Sequence, residues 1–503
     1  MNSPGLLRGT ALLTVTGICS QILAFFYRIA LSRLIGAENM GLFQLIMPVY
    51  SLILSGSAVG LTAAVSTLSA HRLALGDRAG ARALVNHCVS WFLLLGGAVG
   101  ILLAIGSDPV SVYLLGDART QLGLILLVPC FLLTGVENIQ KHFFYGTGNV
   151  KAPAFIELCE QLIRTAAVLG LLVVFLPQSP ERTVGLIVCG MVVCEIFSAT
   201  VLSILFRRFM ADAPLKREPG LLRTVGAVAL PVGGTALLNN LLGSVDSILI
   251  PQLLVAGGVP VSDAMSQFGI LFGMTAPLLS LPTAFIGAMG LVLMPDMAER
   301  MALGQKGTAR RTLERCLSVT SLLLFPALAL LTAVGPEVGS FLFKEATVGR
   351  FMVPLAAGVA LNAHQSVLSC ALNGVGRQAD SARAALIADA VQLLFTIVTV
   401  KDFGMAGYVA GYLVSSVLGV WLNRRAIQTA LGLERAAFAQ WVAPGLAALL
   451  MGLCSHLLFH LLLDRGLPLL PAVGICALFG LVLYLAALSA MGIEKGKRHV
   501  RTQ

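Results

Sequence analysis

Apolar residues run in stretches of twenty or more along the whole chain, separated by short polar clusters. A bilayer crossing needs roughly 20 mostly apolar residues. Fourteen stretches satisfy this: 10–34, 42–70, 84–106, 119–146, 152–176, 183–206, 223–250, 265–292, 312–334, 350–374, 380–400, 404–426, 438–463 and 468–491. They are numbered here as spans 1 to 14. No connection exceeds about twenty residues, which leaves no room for an extramembrane domain. The pattern predicts an all-α membrane protein of 14 transmembrane helices. The first run holds Arg28 and ends without a small-x-small cleavage signal, so it reads as a retained span and not as a removed signal peptide.

Composition narrows the class. Of 503 residues, 57% are hydrophobic and 12% charged. An average soluble protein is about 25% charged, and charged groups stay outside. A soluble enzyme, a disordered chain and a fibre are thereby excluded. The net charge of +10 needs its own account. With the N-terminus placed inside, inner connections and tails carry 25 of the 34 Lys and Arg, and outer ones carry 7. Only Arg28 and Arg164 are left within spans. This is the positive-inside signature of an N-in/C-in protein, so the charge does not point to nucleic acid. The ten cysteines lie mostly in apolar runs and read as free thiols packed as small hydrophobes. His456 and His460 have i, i+4 spacing but no third ligand, and no metal is expected.

The chain also repeats itself. Leu6-Leu7-Arg8 opens span 1 and Leu221-Leu222-Arg223 opens span 7. Span 4 ends in Gly146-Thr147-Gly148 and span 10 in Gly374-Val375-Gly376, 228 residues later. Both matches are six spans apart, so each copy starts on the same side of the membrane. The expected layout is two pseudo-symmetric six-helix lobes, 1–210 and 211–427, followed by 428–503 with spans 13 and 14 and a basic tail. Substrate sites in such proteins lie between lobes, near the bilayer midplane.

Ionisable groups inside spans are costly and mark function by default. Arg28, two-thirds of the way along span 1, and Arg164, in the middle of span 5, are candidates for binding a diphosphate, since guanidinium pairs bidentately with phosphate. Glu137, Glu160, Glu195 and Asp389 are candidates for coupling a proton or another ion. Gln44, Tyr50, Asn239, Asn240, Asn362 and Gln365 are candidates for hydrogen-bonding a sugar, with interhelical bonding as the competing role of each. No P-loop, H-E-x-x-H or G-x-S-x-G is present, so no enzyme activity, catalytic residue or cofactor is expected. The residues alone lead to a secondary transporter or flippase.

Four segments then carry a resemblance. Arg28-Ile-Ala-Leu-Ser-Arg33-Leu-Ile-Gly36, Gly41-Leu-Phe-Gln44, Pro48-Val-Tyr50 and Gly60-Leu-Thr-Ala-Ala-Val-Ser66 resemble the opening of the stage V sporulation protein B family. That family lies in the polysaccharide-flippase branch of the multidrug/oligosaccharidyl-lipid/polysaccharide exporter superfamily. The turn at Gly146-Thr-Gly148, the pair Glu160-Gln161 and Asn373-Gly-Val-Gly376 are also similar to its pattern. The resemblance implies a flippase for a lipid-linked sugar, such as an undecaprenyl-diphosphate cell-wall or polysaccharide precursor, moving by alternating access. It implies a cationic cavity served by Arg28, and a lipid-tail groove at spans 13 and 14. Ala30 stands where the family commonly has proline, which leaves the bend of the first helix unassigned. The implied setting is a bacterial cytoplasmic membrane, where the chain acts as a monomer with membrane lipids and, as candidate partners, cell-wall synthesis enzymes. The alternatives are a cation-coupled multidrug exporter on the same fold and a non-transporting component of cell-wall machinery. A membrane-embedded polymerase or ligase would need outer-loop carboxylates that these short loops do not supply.

Overall fold

The computed structural model describes residues 4–175, 177–214, 220–432 and 441–491. Among them every regular element is a helix. Lys216, Arg217, Arg435 and the tail bases Lys495, Lys497, Arg498 and Arg501 lie outside the described residues.

Thirteen helical stretches are long and apolar enough to cross a membrane. The first, Val15–Ala74, has 60 residues. At 1.5 Å per residue that is about 90 Å, far more than one bilayer core. It breaks at Gly36, whose φ of 75° and ψ of 176° are open to glycine and strained for other residues. The break falls between the expected spans 1 and 2, and so accounts for the fourteenth. Helix continues through Ala30, and the turn comes six residues later at Gly36. Span 8 is the other irregular crossing. It runs as Val261–Phe268, a π-helical Gly269–Thr275, Ala276–Ser280, a 3₁₀ turn at Leu281–Thr283 and Ala284–Ala302. Pro277 and Pro282 each remove a backbone donor there, which is why the regular ladder is interrupted.

The repeat is visible in both packing and turns. Span 4 packs on spans 2, 3 and 6, and span 5 on span 6. Six spans later, span 10 packs on spans 8, 9 and 12, and span 11 on span 12. Left-handed turns recur at an offset of 228: Gly76 with Gly304, Gly148 with Gly376, and Gly116 with Lys344, a non-glycine that keeps a φ of 57°. Close approaches recur likewise. A Cβ on Gly146 would lie 2.3 Å from the Ser66 carbonyl oxygen, and one on Gly374 2.5 Å from that of Met294. Both members of each pair are 228 apart.

The chain forms two compact units, Met1–Gly269 and Ile270–Gln503. In the first, span 7 (Leu221–Ala256) crosses span 2 where Gly60 meets the Ala229 backbone. Gly41 meets the carbonyl of Met265, 2.0 Å from where a Cβ would stand. Gly41→Ala is therefore expected to force two backbones apart and cost about 1–3 kcal/mol. A lowered Tm of the purified protein in detergent checks this; an unchanged Tm would show that the crossing is loose.

In the second unit, span 13 packs on span 9 and span 14 on span 13. Leu449, Leu453 and Leu457 form an exposed stripe at i, i+4 spacing along span 13, as a lipid-facing helix requires. The histidines of span 13 bond to span 9: His456 Nδ1 lies 2.9 Å from the Ala333 carbonyl oxygen, and His460 Nε2 3.6 Å from Glu337.

Candidate functional site

Spans 4, 5 and 6 bring five charged side chains together inside the first unit. Glu137 and Lys141 come from span 4, Glu160 and Arg164 from span 5, and Glu195 from span 6. The i, i+4 spacing puts each of the first two pairs on one helix face. Lys141 Nζ lies 2.5 Å from Glu137 Oε1 and 3.2 Å from Glu160 Oε2. Arg164 Nη2 lies 2.6 Å from Glu160 Oε1 and 3.0 Å from Glu195 Oε1. Ser198 donates to Glu137 Oε2. Glu137 and Glu195 are 1% and 2% exposed, so the network sits in the protein interior.

Lys141 is the member that the sequence reading missed. It was counted among the inner-connection bases because it lies five residues from the end of span 4. The structure holds it within Gln121–Gly146, buried against two carboxylates. The count of inner bases falls from 25 to 24. Its i, i+4 relation to Glu137 was the available signal.

The two deep arginines have different surroundings. Arg164 is engaged by Glu160 and Glu195, and its Nε donates to Cys194 Sγ at 3.4 Å. Arg28 is half-buried and makes no ion pair or hydrogen bond among the described residues. Its neighbour Tyr27 is buried, and the Tyr27 hydroxyl has no hydrogen-bond partner among the described residues. Asp389 is half-buried in the second unit and makes no ion pair there among the described residues.

The candidate sugar ligands are split between the units. In the first, Gln44 is half-buried, and Asn239 and Asn240 are exposed on span 7. Asn240 Nδ2 donates to Ser55 Oγ at 2.8 Å, and the Tyr50 hydroxyl shares a 2.9 Å hydrogen bond with Thr134. In the second, Asn362 Nδ2 donates to the Tyr412 hydroxyl at 2.7 Å. Gln365 faces span 12 instead, where a Cβ on Gly419 would come within 2.3 Å of its Oε1. Asn362 and Tyr412 stand on the wall of a cavity of about 640 Å³, with Ser280, Thr283 and Ser366 and with Gly287 and Gly290 opening the space. Its polar groups are uncharged. Tyr412 was not singled out from the sequence, because one tyrosine in an apolar span is common.

Residues 6–301 match the model of a family described as polysaccharide biosynthesis protein. The chain belongs to the polysaccharide biosynthesis protein family. Within curated relatives it is 23% identical to stage V sporulation protein B of Bacillus subtilis (strain 168), over 84% of each chain. It is 22% identical to lipid II flippase MurJ of the same organism, over 84% of this chain and 83% of that one. A solved structure of lipid II flippase MurJ in an inward closed conformation superposes with a TM-score of 0.72 at 14% identity, covering 96% of this chain and 98% of the other. An inward-facing multidrug resistance MATE family transporter of the MOP superfamily gives 0.64 at 15% identity, covering 83% and 98%. This member of the polysaccharide biosynthesis protein family thus has a transporter fold and is a multi-pass protein of the bacterial plasma membrane.

Proposed function

We propose that the protein is a flippase that moves a lipid-linked sugar, carried on a polyprenyl diphosphate such as undecaprenyl diphosphate, across the membrane by alternating access. One observation carries this reading: Arg28 is a guanidinium set inside a span, and among the described residues no protein anion pairs with it. An unpaired charge at that depth costs several kcal/mol and persists where a ligand completes it. A diphosphate supplies the missing anion and matches the bidentate fork. Arg164 is already neutralised by two carboxylates, so it shapes the interior and does not hold substrate.

We assign uncharged groups to the sugars: Gln44, Tyr50, Asn239 and Asn240 of the first unit and, separately, Asn362 and Gln365 of the second, with Tyr412 beside Asn362. The repeat lobes 1–210 and 211–427 supply the moving parts, and 428–503 supplies spans 13 and 14 for the lipid tail. N-in/C-in topology places the basic connections on the anionic leaflet. The protein acts on bound substrate without catalysis or a cofactor, as a monomer among membrane lipids. A cation-coupled drug exporter on this fold would need a net negative substrate site, whereas Arg28 presents a positive one.

Competition in detergent distinguishes these readings. Binding of a radiolabelled undecaprenyl-diphosphate sugar is expected to be displaced by excess unlabelled lipid diphosphate and untouched by a lipophilic cation. Displacement by the cation alone would favour drug export.

A further inference from the structure

We propose that Glu195 Oε2 carries an exchangeable proton, held inside the first unit by the five-charge network of spans 4, 5 and 6. Three carboxylates face two cations there, so the fully ionised network carries one uncompensated negative charge in the protein interior. The bonds identify which carboxyl relieves it. Both Glu160 oxygens are taken, Oε1 by Arg164 and Oε2 by Lys141. Both Glu137 oxygens are taken, Oε1 by Lys141 and Oε2 by Ser198. Glu195 gives Oε1 to Arg164, while its Oε2 is buried without a hydrogen-bond partner among the described residues. Glu137 and Thr134, both on span 4, face Glu195. Two carboxylates in that relation repel unless a hydrogen lies between them. A proton on Oε2 neutralises the one carboxylate oxygen left without a partner and balances the charges at two of each sign.

The surroundings bar the other simple cation. Glu160, Cys194 and Glu195 bring ligand atoms within 4.8 Å of one another, as a metal site would. The Arg164 guanidinium already occupies that focus, bonded to all three residues. The remaining titratable groups near Glu195 are Cys130 from span 4 and Tyr50 from span 2. Tyr27, from span 1, lies beside Arg164 and Cys194. Its buried hydroxyl also lacks a partner, the second unsatisfied polar atom at this place.

Helix packing does not require charge here, because the second repeat does without it. At the offset of 228, Glu137 corresponds to Gln365 and Arg164 to Gln392. Lys141, Glu160 and Glu195 correspond to Ser369, Ala388 and Asn423, and Gln392 is joined to span 12 at another level, accepting from Ser415 Oγ at 3.1 Å. One repeat uses neutral amides and a hydroxyl where the other buries five charges. Burying those charges is costly, and replacing them by neutral groups is often stabilising, so the charged version is kept for what it binds. The step is a plain proton exchange: the Oε2 lone pair takes H⁺ from water to form O–H, and that bond breaks when the proton returns to water.

Infrared spectroscopy of the purified protein tests this without any transport step. The wild type is expected to show the carbonyl stretch of a protonated carboxyl group at neutral pH, and Glu195→Gln to lose it with little change in Tm. Glu137→Gln should keep the band but shift it, since a neutral amide then replaces the facing carboxylate. Raising the pH should remove the band as a single-proton titration, while added sodium at fixed pH should leave it alone. A wild type without the band, a band that survives in Glu195→Gln, or a band displaced by sodium would each overturn the proposal. In proteoliposomes, flipping by Glu195→Gln should lose its dependence on pH. Absence of flipping in the wild type would bear on the transport reading and leave the infrared result to stand by itself.

Discussion

Arg164→Ala is expected to destabilise the protein by about 3–5 kcal/mol, as removal of one partner of a buried ion pair typically does. The guanidinium holds span 5 to span 6 through Glu195 at 3.0 Å and Cys194 at 3.4 Å, and it is braced on its own helix by Glu160 at 2.6 Å. Removing it strands two buried carboxyl groups, with Lys141 as the single remaining cation. The loss should appear as a much lower Tm in detergent and reduced recovery from the membrane. Arg164→Lys should recover part of it, because an ammonium keeps the charge but cannot span both carboxylates with a fixed fork. A Tm for Arg164→Ala within a degree or two of wild type would show that the network contributes little to stability. By contrast, Glu195→Gln keeps the shape and, with Glu195 protonated, removes no charge.

Arg28→Ala should have the opposite profile: little loss of stability and a large loss of transport. Arg28 pairs with no protein anion among the described residues, so its removal strands none. If it completes a charge-assisted pair with a diphosphate, its loss costs about 1.5–3 kcal/mol of substrate interaction, roughly a tenfold to hundredfold fall in binding. Flipping rate and substrate binding should fall together while Tm stays near wild type. Arg28→Lys should recover charge but not bidentate geometry and lie between the two. Undiminished flipping by Arg28→Ala would remove Arg28 from the substrate site.

Much of the fold was legible from hydrophobicity alone. Apolar runs fix where helices cross, because a bilayer leaves the backbone no partner but itself. Thus spans such as 380–400 reappear as Gln378–Phe403 with only their polar ends extended. The break at Gly36 was less legible, since the same residue within a crossing would have been read as a packing glycine. The site was legible in its members and not in its connections. Glu137, Glu160, Arg164 and Glu195 were each singled out as deep charges, but their convergence depends on how spans 4, 5 and 6 rotate about their axes. Uniformly apolar helices carry little amphipathic signal to set that rotation. Lys141 was missed because distance from a span end says nothing about which way a side chain faces. Gln365, a candidate sugar ligand, also lies close against the small Gly419 on span 12, a contact the sequence does not reveal.

The central claim is that this chain moves a diphosphate-linked sugar lipid between leaflets. Proteoliposomes containing the purified wild-type protein and a fluorescent undecaprenyl-diphosphate sugar measure that directly, with an impermeant quencher reporting how much label is exposed outside. Wild type is expected to exchange the inner pool to the outside far faster than protein-free vesicles, and Arg28→Ala, folded to the same Tm, to do so at least about tenfold more slowly than wild type. Exchange by the wild type no faster than in protein-free vesicles would contradict it.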